Sequence, residues 1–284
     1  MAWQPPREFY AEHLPAIKQY NIKDVHGRVS YHVAETFKAC PRAAFYKNAV
    51  LIGCNALGRE VKMNKHIYSA TSADALGKAL MAGFAAGSRE VAIEKYHELI
   101  DGKETDPALE AEILNRLELL ENCITSVLGA ESIEPEYPIE WYDEKDGITY
   151  TGQADAVVSG KHGTFVVEVK NTNSPGWIKG YSGQVDYYRR LLIKTGMKID
   201  GGFYLLFPGW FDRDGVMIHA TKIDIHVADT DSATDYIRLL KYIVTIPLDE
   251  IAWPCSEKAS INYQKCRTCQ CRFDCEKELD KKLC

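Results

Sequence analysis

The chain has 284 residues, 46% of them hydrophobic, and a formal net charge of −6. That is enough apolar material for a sizeable core, which excludes wholesale disorder, and no run of about 18 or more apolar residues offers a membrane span. The net negative charge argues against a dedicated nucleic-acid binder, whose surface is usually basic, but leaves room for a narrow, metal-assisted grip.

The first residues, MAWQPPREFYAEHLPAIKQ, contain early acids and no apolar stretch of a secretory signal, so a cytoplasmic protein is the expectation. Residues 30–49 read as a helix start that Pro41 breaks or restarts. Residues 73–100 read as helix with small side chains along one side, and 107–129 as a second long helix ending at Gly129. Three strands follow, 134–142, 148–159 and 164–170, separated by the turn signals DEKDG and GKHG. A helix near 180–195, strands at 201–209 and 216–227, and a helix over 230–245 complete the periodic part. From 253 the tail is polar and rich in cysteine. This order implies a single α/β domain across 1–284, with a mixed central sheet flanked by helices.

The stretch TFVVEVKNTNS, residues 164–174, carries the first chemistry. Strand alternation puts Glu168 and Lys170 on one face and Val167 and Val169 on the other. A solvated edge strand with an ion pair is the plain reading. The turn before it suggests more. With Lys161 and His162 at its centre, Gly160 pairs with Gly163 and Ser159 with Thr164, which brings Asp155 opposite Glu168. Directly opposed side chains have Cβ atoms roughly 4.5–5.5 Å apart. Two carboxylates that close repel each other, and folding does not require them. A divalent cation does: Asp155, Glu168 and the Val169 carbonyl are hard oxygen ligands suited to Mg²⁺ or Mn²⁺. Lys170 beside them suits orienting a water or stabilising charge on a phosphate.

Downstream, Gln184 and Tyr188 lie at i and i+4 on one face of the helix expected near 180–195. The set GQAD (152–155), EVK (168–170) and Gln-x-x-x-Tyr (184–188) resembles the RecB-like branch of the PD-(D/E)xK nucleases. The resemblance implies that Asp155, Glu168 and Lys170 are catalytic and that Gln184 and Tyr188 contact the DNA backbone beside the site.

Nine cysteines without a secretory signal make a disulfide framework improbable and point to a metal or cluster. Cys266-x2-Cys269-x5-Cys275 at the C-terminus, with Cys40-Pro41 far upstream, is similar to the iron–sulfur RecB-like nucleases. Among these, with no helicase domain in the chain, the CRISPR-associated Cas-four exonucleases are the nearest match. That resemblance implies a 4Fe-4S cluster on Cys40, Cys266, Cys269 and Cys275, stapling residues 253–284 to the region 30–60. Four thiolates also suit zinc. Cys271 reads as a bystander inside the motif, and Cys54, Cys123, Cys255 and Cys284 as ordinary thiols.

The function implied is a metal-dependent DNA exonuclease acting on single-stranded ends, in CRISPR spacer acquisition or in phage or host DNA processing. A CRISPR integrase or another DNA-processing protein is the implied partner, with no membrane. The rival is a weakly active or inactive DNA-binding adaptor that keeps the fold and the cluster. One departure favours it. The family carries a metal-reaching His four residues after a helical Gly, and here Met81 follows Gly77 at that distance. A thioether is a poor ligand for a hard cation, unless Met81 is simply a core residue. His66 is the nearest replacement, at a spacing that fits no pattern. Arg42, Lys47, Lys179, Arg189 and Arg190 are candidate phosphate contacts or solvated charges. Trp177 and Tyr181 are candidate base-stacking rings or core aromatics.

Overall fold

The computed structural model describes residues 14–58, 73–100, 105–172 and 178–254. These fall into two compact units, each assembled from separated stretches of chain. The first takes the described residues up to 58 together with 140–151 and 234–254, and the second takes 73–139 and 152–233.

In the first unit, β1 (Arg28–Ser30) runs parallel to the beginning of β3 (Ile148–Gly160), with Val29 opposite Tyr150. It leads directly into α1 (Tyr31–Ala39). Cys40 is extended, φ −164°, and Pro41 opens α2 (Pro41–Ala44). Proline causes this interruption: its ring disfavours helical geometry in the residue before it, yet suits the first position of the next helix. A wide turn, Phe45–Ala49, continues into α3 (Val50–Ala56).

The second unit holds the larger layer structure. The helix expected over 73–100 is two helices, α4 (Ala73–Ala86) and α5 (Arg89–Ile100). Gly87 separates them at φ +59°, a left-handed position that glycine adopts without a Cβ clash. α6 (Pro107–Asn122) is capped by the Asp106 side chain, which accepts from the Ala108 N–H at 2.9 Å. Then come β2 (Ala130–Asp143), β3, and β4 (Gly163–Asn171). α7 (Ile178–Lys194) crosses over to β5 (Gly201–Phe207), and β6 (Asp224–Val227) follows. The last strand is shorter than the expected 216–227, because only its final four residues pair with β5. The first unit resumes with α8 (Thr234–Ile243), shorter than the 230–245 expected.

The sheet is mixed and open. β3 and β4 are antiparallel, β4 and β5 parallel, and β5 and β6 antiparallel, with β2 beside β3. One face, carrying Val167, Val169, Leu205 and Phe207, packs with side chains of α4, α5 and α6 such as Leu80, Tyr96 and Leu117. The opposite face carries Glu168, Lys170 and Tyr204 and lies under α7. No described helix is long and apolar enough to cross a membrane.

A buried ion pair ties the helical layer to the strand ends. Arg116 on α6 is 0% exposed and Glu112, one turn before it, 1%. The Arg116 Nε donates to Glu112 at 2.7 Å, and its other N–H groups donate to Asn171 Oδ1 and to the carbonyls of Pro208, Gly209 and Ile218. The guanidinium lies 3.9 Å from the centre of the Trp210 ring. Glu112 also accepts from the Ala220 N–H. Every charge-bearing atom therefore has a partner, the condition under which a buried pair is tolerated. Removing one partner leaves an uncompensated charge. Arg116→Met is expected to lower the unfolding free energy by about 3–5 kcal/mol, measured by urea titration. A loss below about 1 kcal/mol would show that Glu112 is readily reached by water.

Candidate active site

The β3–β4 turn has the expected register: Gly160 faces Gly163 and Ser159 faces Thr164, continuing to Ala156 opposite Val167. Asp155 is the next residue along, and its carboxylate reaches across to accept from the Val169 N–H at 2.7 Å. Glu168 is 2% exposed. Its Oε1 accepts from the Lys170 ammonium at 2.5 Å and from the Gln184 amide at 2.7 Å. The same amide donates to the Tyr188 hydroxyl at 3.0 Å. Asp155, Glu168, Lys170, Gln184 and Tyr188 therefore meet in one place, although they are spread over β3, β4 and α7.

The electrostatics follow from burial. Glu168 is pushed up to about 8, first by desolvation and then by the Asp155 charge, with Lys170 opposing. Asp155 is raised too, by burial, against the pull of Lys170 and the Val169 N–H. Burial alone would lower Lys170, but the two carboxylates outweigh it and hold the ammonium protonated. Burial, and then the Glu168 charge, pushes the Tyr188 phenol up to about 12.

One atom stands out. Glu168 Oε2 is buried and has no hydrogen-bond partner among the described residues. Buried carboxylate oxygens are normally satisfied. An orphaned hard oxygen next to a second carboxylate fits a divalent cation, with the Val169 carbonyl, adjacent to Glu168 in the chain, as a further oxygen donor. No group of three or more His, Cys, Asp or Glu side chains suited to a metal occurs among the described residues. The side-chain donor set is thus the two carboxylates.

Several sequence candidates take other roles. Gln184 and Tyr188 are buried, at 6% and 4%, and face Glu168. Arg189 and Arg190 both bond to Asp186, itself 0% exposed, and Arg190 also donates to the Thr230 carbonyl. Their spacing of three and four residues from Asp186 is the signal that marks helical ion pairs. Arg42 is buried, with its Nε on the Trp253 carbonyl at 2.7 Å. Lys47 is exposed on the turn after α2. Met81 is half-buried and packs against the helical core, in keeping with the plain reading. Tyr181, half-buried at the start of α7, has its ring 5.8 Å from the Lys170 ammonium.

Gly152, the first residue of GQAD, also belongs to the site, and its role depends on a contact that spacing does not reveal. A Cβ there would lie 2.4 Å from the Tyr188 ring. The Gly of GQAD is what lets α7 lay Tyr188 against β3, and any side chain would displace it.

Of the proposed cluster ligands, Cys40 is described: half-exposed, without a disulfide, between α1 and α2. The Arg42 N–H donates to the Pro254 carbonyl at 3.3 Å, so the last described residue rests against the turn that follows Cys40. Cys266, Cys269 and Cys275 lie outside the described residues, as do Cys255, Cys271, Cys284, His66 and Trp177, and so does the side chain of Lys179.

No family model matches the sequence, and no curated protein matches it. Among solved structures, the crystal structure of SSO0001 is similar over 78% of this chain and 91% of that one, at 16% identity and a TM-score of 0.35. A superposition that loose carries no argument about function.

Glu168 supplies a pH test. Its folded pKa, about 8, lies well above the 4.5 of an ordinary glutamate. The folded chain therefore keeps a proton that the unfolded chain has released, and metal-free stability falls as pH rises through that window. In EDTA, Glu168→Gln is expected to gain melting temperature relative to the parent as pH rises from about 6 to about 9. A difference that does not change with pH would show that Glu168 does not titrate there.

Proposed function

We propose that the chain is a metal-dependent DNA nuclease of the RecB-like iron–sulfur kind, acting on single-stranded ends. The observation that carries this reading is the buried, unpartnered Glu168 Oε2 beside Asp155, with Lys170 hydrogen-bonded to the other oxygen of the same carboxylate. Asp155, Glu168 and the Val169 carbonyl would hold Mg²⁺ or Mn²⁺. Bound there, the ion supplies Lewis-acid polarisation of a phosphate and a lower pKa for water.

The remaining chemistry belongs to the chain. Gln184 holds Glu168 Oε1 in place, which fixes the direction of Oε2. The Lys170 ammonium, kept protonated by its acidic neighbours, is suited to stabilising negative charge that develops on a phosphate oxygen. Tyr188 stays a neutral phenol across the working pH range, because burial keeps its pKa near 12. Gln184 and Tyr188 act here by orienting Glu168, a closer task than touching the DNA backbone.

On this reading Cys40, Cys266, Cys269 and Cys275 bind a 4Fe-4S cluster. The support is that Arg42, two residues after Cys40, bonds to the carbonyls of Trp253 and Pro254, the last described residues. A CRISPR integrase or another DNA-processing protein is the proposed partner. A second reading is a DNA-holding adaptor with little or no cleavage: among the described residues the side-chain donors at the site are two carboxylates, and Met81, at the spacing where the family places a His, packs in the helical core.

Lys170→Ala and Glu168→Ala are expected to abolish Mn²⁺-dependent release of nucleotides from labelled single strands, with the circular dichroism spectrum unchanged. Cleavage that survives both changes places the chemistry elsewhere, and a parent that never cleaves at high Mn²⁺ favours the adaptor. Protein purified anaerobically should be brown, with broad absorbance near ~400 nm and about four irons per chain, and Cys40→Ala should bleach it. A colourless protein with one zinc would replace the cluster by a zinc site.

A further inference from the structure

The face of the sheet that carries Glu168 and Lys170 also carries a row of aromatic rings that catalysis does not use. Glu168 on β4 is paired with Tyr204 on β5, and Tyr204 with His226 on β6. The Tyr204 and His226 rings are stacked, with centroids 5.0 Å apart and planes 2° from parallel. Tyr181, from the first turn of α7, lies 6.4 Å from Tyr204 on one side and 5.8 Å from the Lys170 ammonium on the other. Tyr204 is 5% exposed and fixes the row, while Tyr181 and His226, at its two ends, are both half-buried.

Core packing would account for Tyr204 but not for the two ends. β6 is the last strand in the sheet order, and one face of the His226 ring is taken by Tyr204. His226 is half-buried on that edge strand. Asp224, the acid nearest His226 on that strand's face, is neutralised by Lys222 at 2.7 Å. The Tyr181 ring lies 5.8 Å from the Lys170 ammonium, where a phosphate held by Lys170 would bring its own nucleobase.

We propose that Tyr181, backed by Tyr204 and His226, is a stacking subsite for the unpaired bases of a single-stranded nucleic acid whose phosphate lies at Lys170. This deepens the nuclease reading and rests on it. Every base has a π-face, so the subsite selects unpaired over paired strands without reading sequence. It also accounts for a grip on DNA by an acidic chain, since stacking needs no basic surface.

The test compares two fluorescent oligonucleotides, an ordinary single strand and one of equal length in which every base is missing. Binding to the full chain is read by anisotropy in EDTA at low salt, where metal-dependent cleavage is off. Tyr181→Ala is expected to weaken the ordinary strand about five- to 150-fold, the equivalent of one stacked base, and to change the abasic strand less than about two-fold. Tyr181→Trp, with a larger ring, should tighten the ordinary strand alone, which keeps the test informative if the alanine variant folds poorly. His226→Ala should lower affinity in the same base-dependent way.

Equal effects on both strands, or no effect of Ala and Trp on either, would overturn the stacking subsite. If the parent nonetheless releases nucleotides with Mn²⁺, the nuclease reading survives that failure. A parent that binds neither strand and cleaves nothing overturns both.

Discussion

Two carboxylates share one partly buried site, and that constraint organises the architecture around it. Burial and mutual repulsion both raise Glu168, and burial raises Asp155. Without compensation such a pair would take up protons or push the strands apart. The neighbours supply the compensation one bond at a time: the Val169 N–H for Asp155, and the Lys170 ammonium and the Gln184 amide for Glu168 Oε1. Oε2 is left without a partner, which is where the site falls short of ordinary core chemistry. A structural ion pair would be expected to use both oxygens.

The rest of the second unit holds those atoms in position. α7 must lie close enough for Gln184 to reach Glu168, and Gly152 permits this by leaving room for the Tyr188 ring. Asp186, in the same helix, takes up Arg189 and Arg190 and accepts from the Ala233 N–H, so α7 is fixed at its middle as well as by its apolar residues. On the other side of the sheet, Arg116 grips Asn171, the residue after Lys170, and three carbonyls that follow β5. The strand end that carries the catalytic candidates is therefore held from both faces. Charged side chains do this inside the protein, and directional bonds fix position more narrowly than apolar contact does.

The first unit uses a similar device for another purpose. Arg42 is buried; its guanidinium Nε donates to the Trp253 carbonyl and its backbone N–H to the Pro254 carbonyl. Trp253 packs against Phe37 and Phe45, from α1 and the turn after α2. The chain thus brings residues more than 200 positions apart against the Cys40 turn with ordinary core interactions. A cluster drawing on Cys40 and the tail would add to a contact that already exists.

Some of this was fixed by local chemistry and so is legible in the sequence. Gly160 and Gly163 set the turn, the turn sets the register, and the register puts Asp155 next to the Glu168 strand. Pro41 sets the break between α1 and α2 for the same kind of reason, since its effect reaches no further than its neighbours. What the sequence hid depends on distant partners. Residues 73–100 look like one helix because Gly87 costs a helix only about 1 kcal/mol, and tertiary packing decided that the chain turns there. Arg189 and Arg190 resemble phosphate ligands until Asp186 is buried beneath them, and the purpose of Gly152 emerges only once α7 lies over it. The spacing of Met81 from Gly77 suggested a displaced ligand, and its packing against the helical core is a tertiary fact. Side-chain types and short spacings determined which groups are available. Which of them lose water together, and so which charges must be answered, was decided only when helix and sheet closed over them.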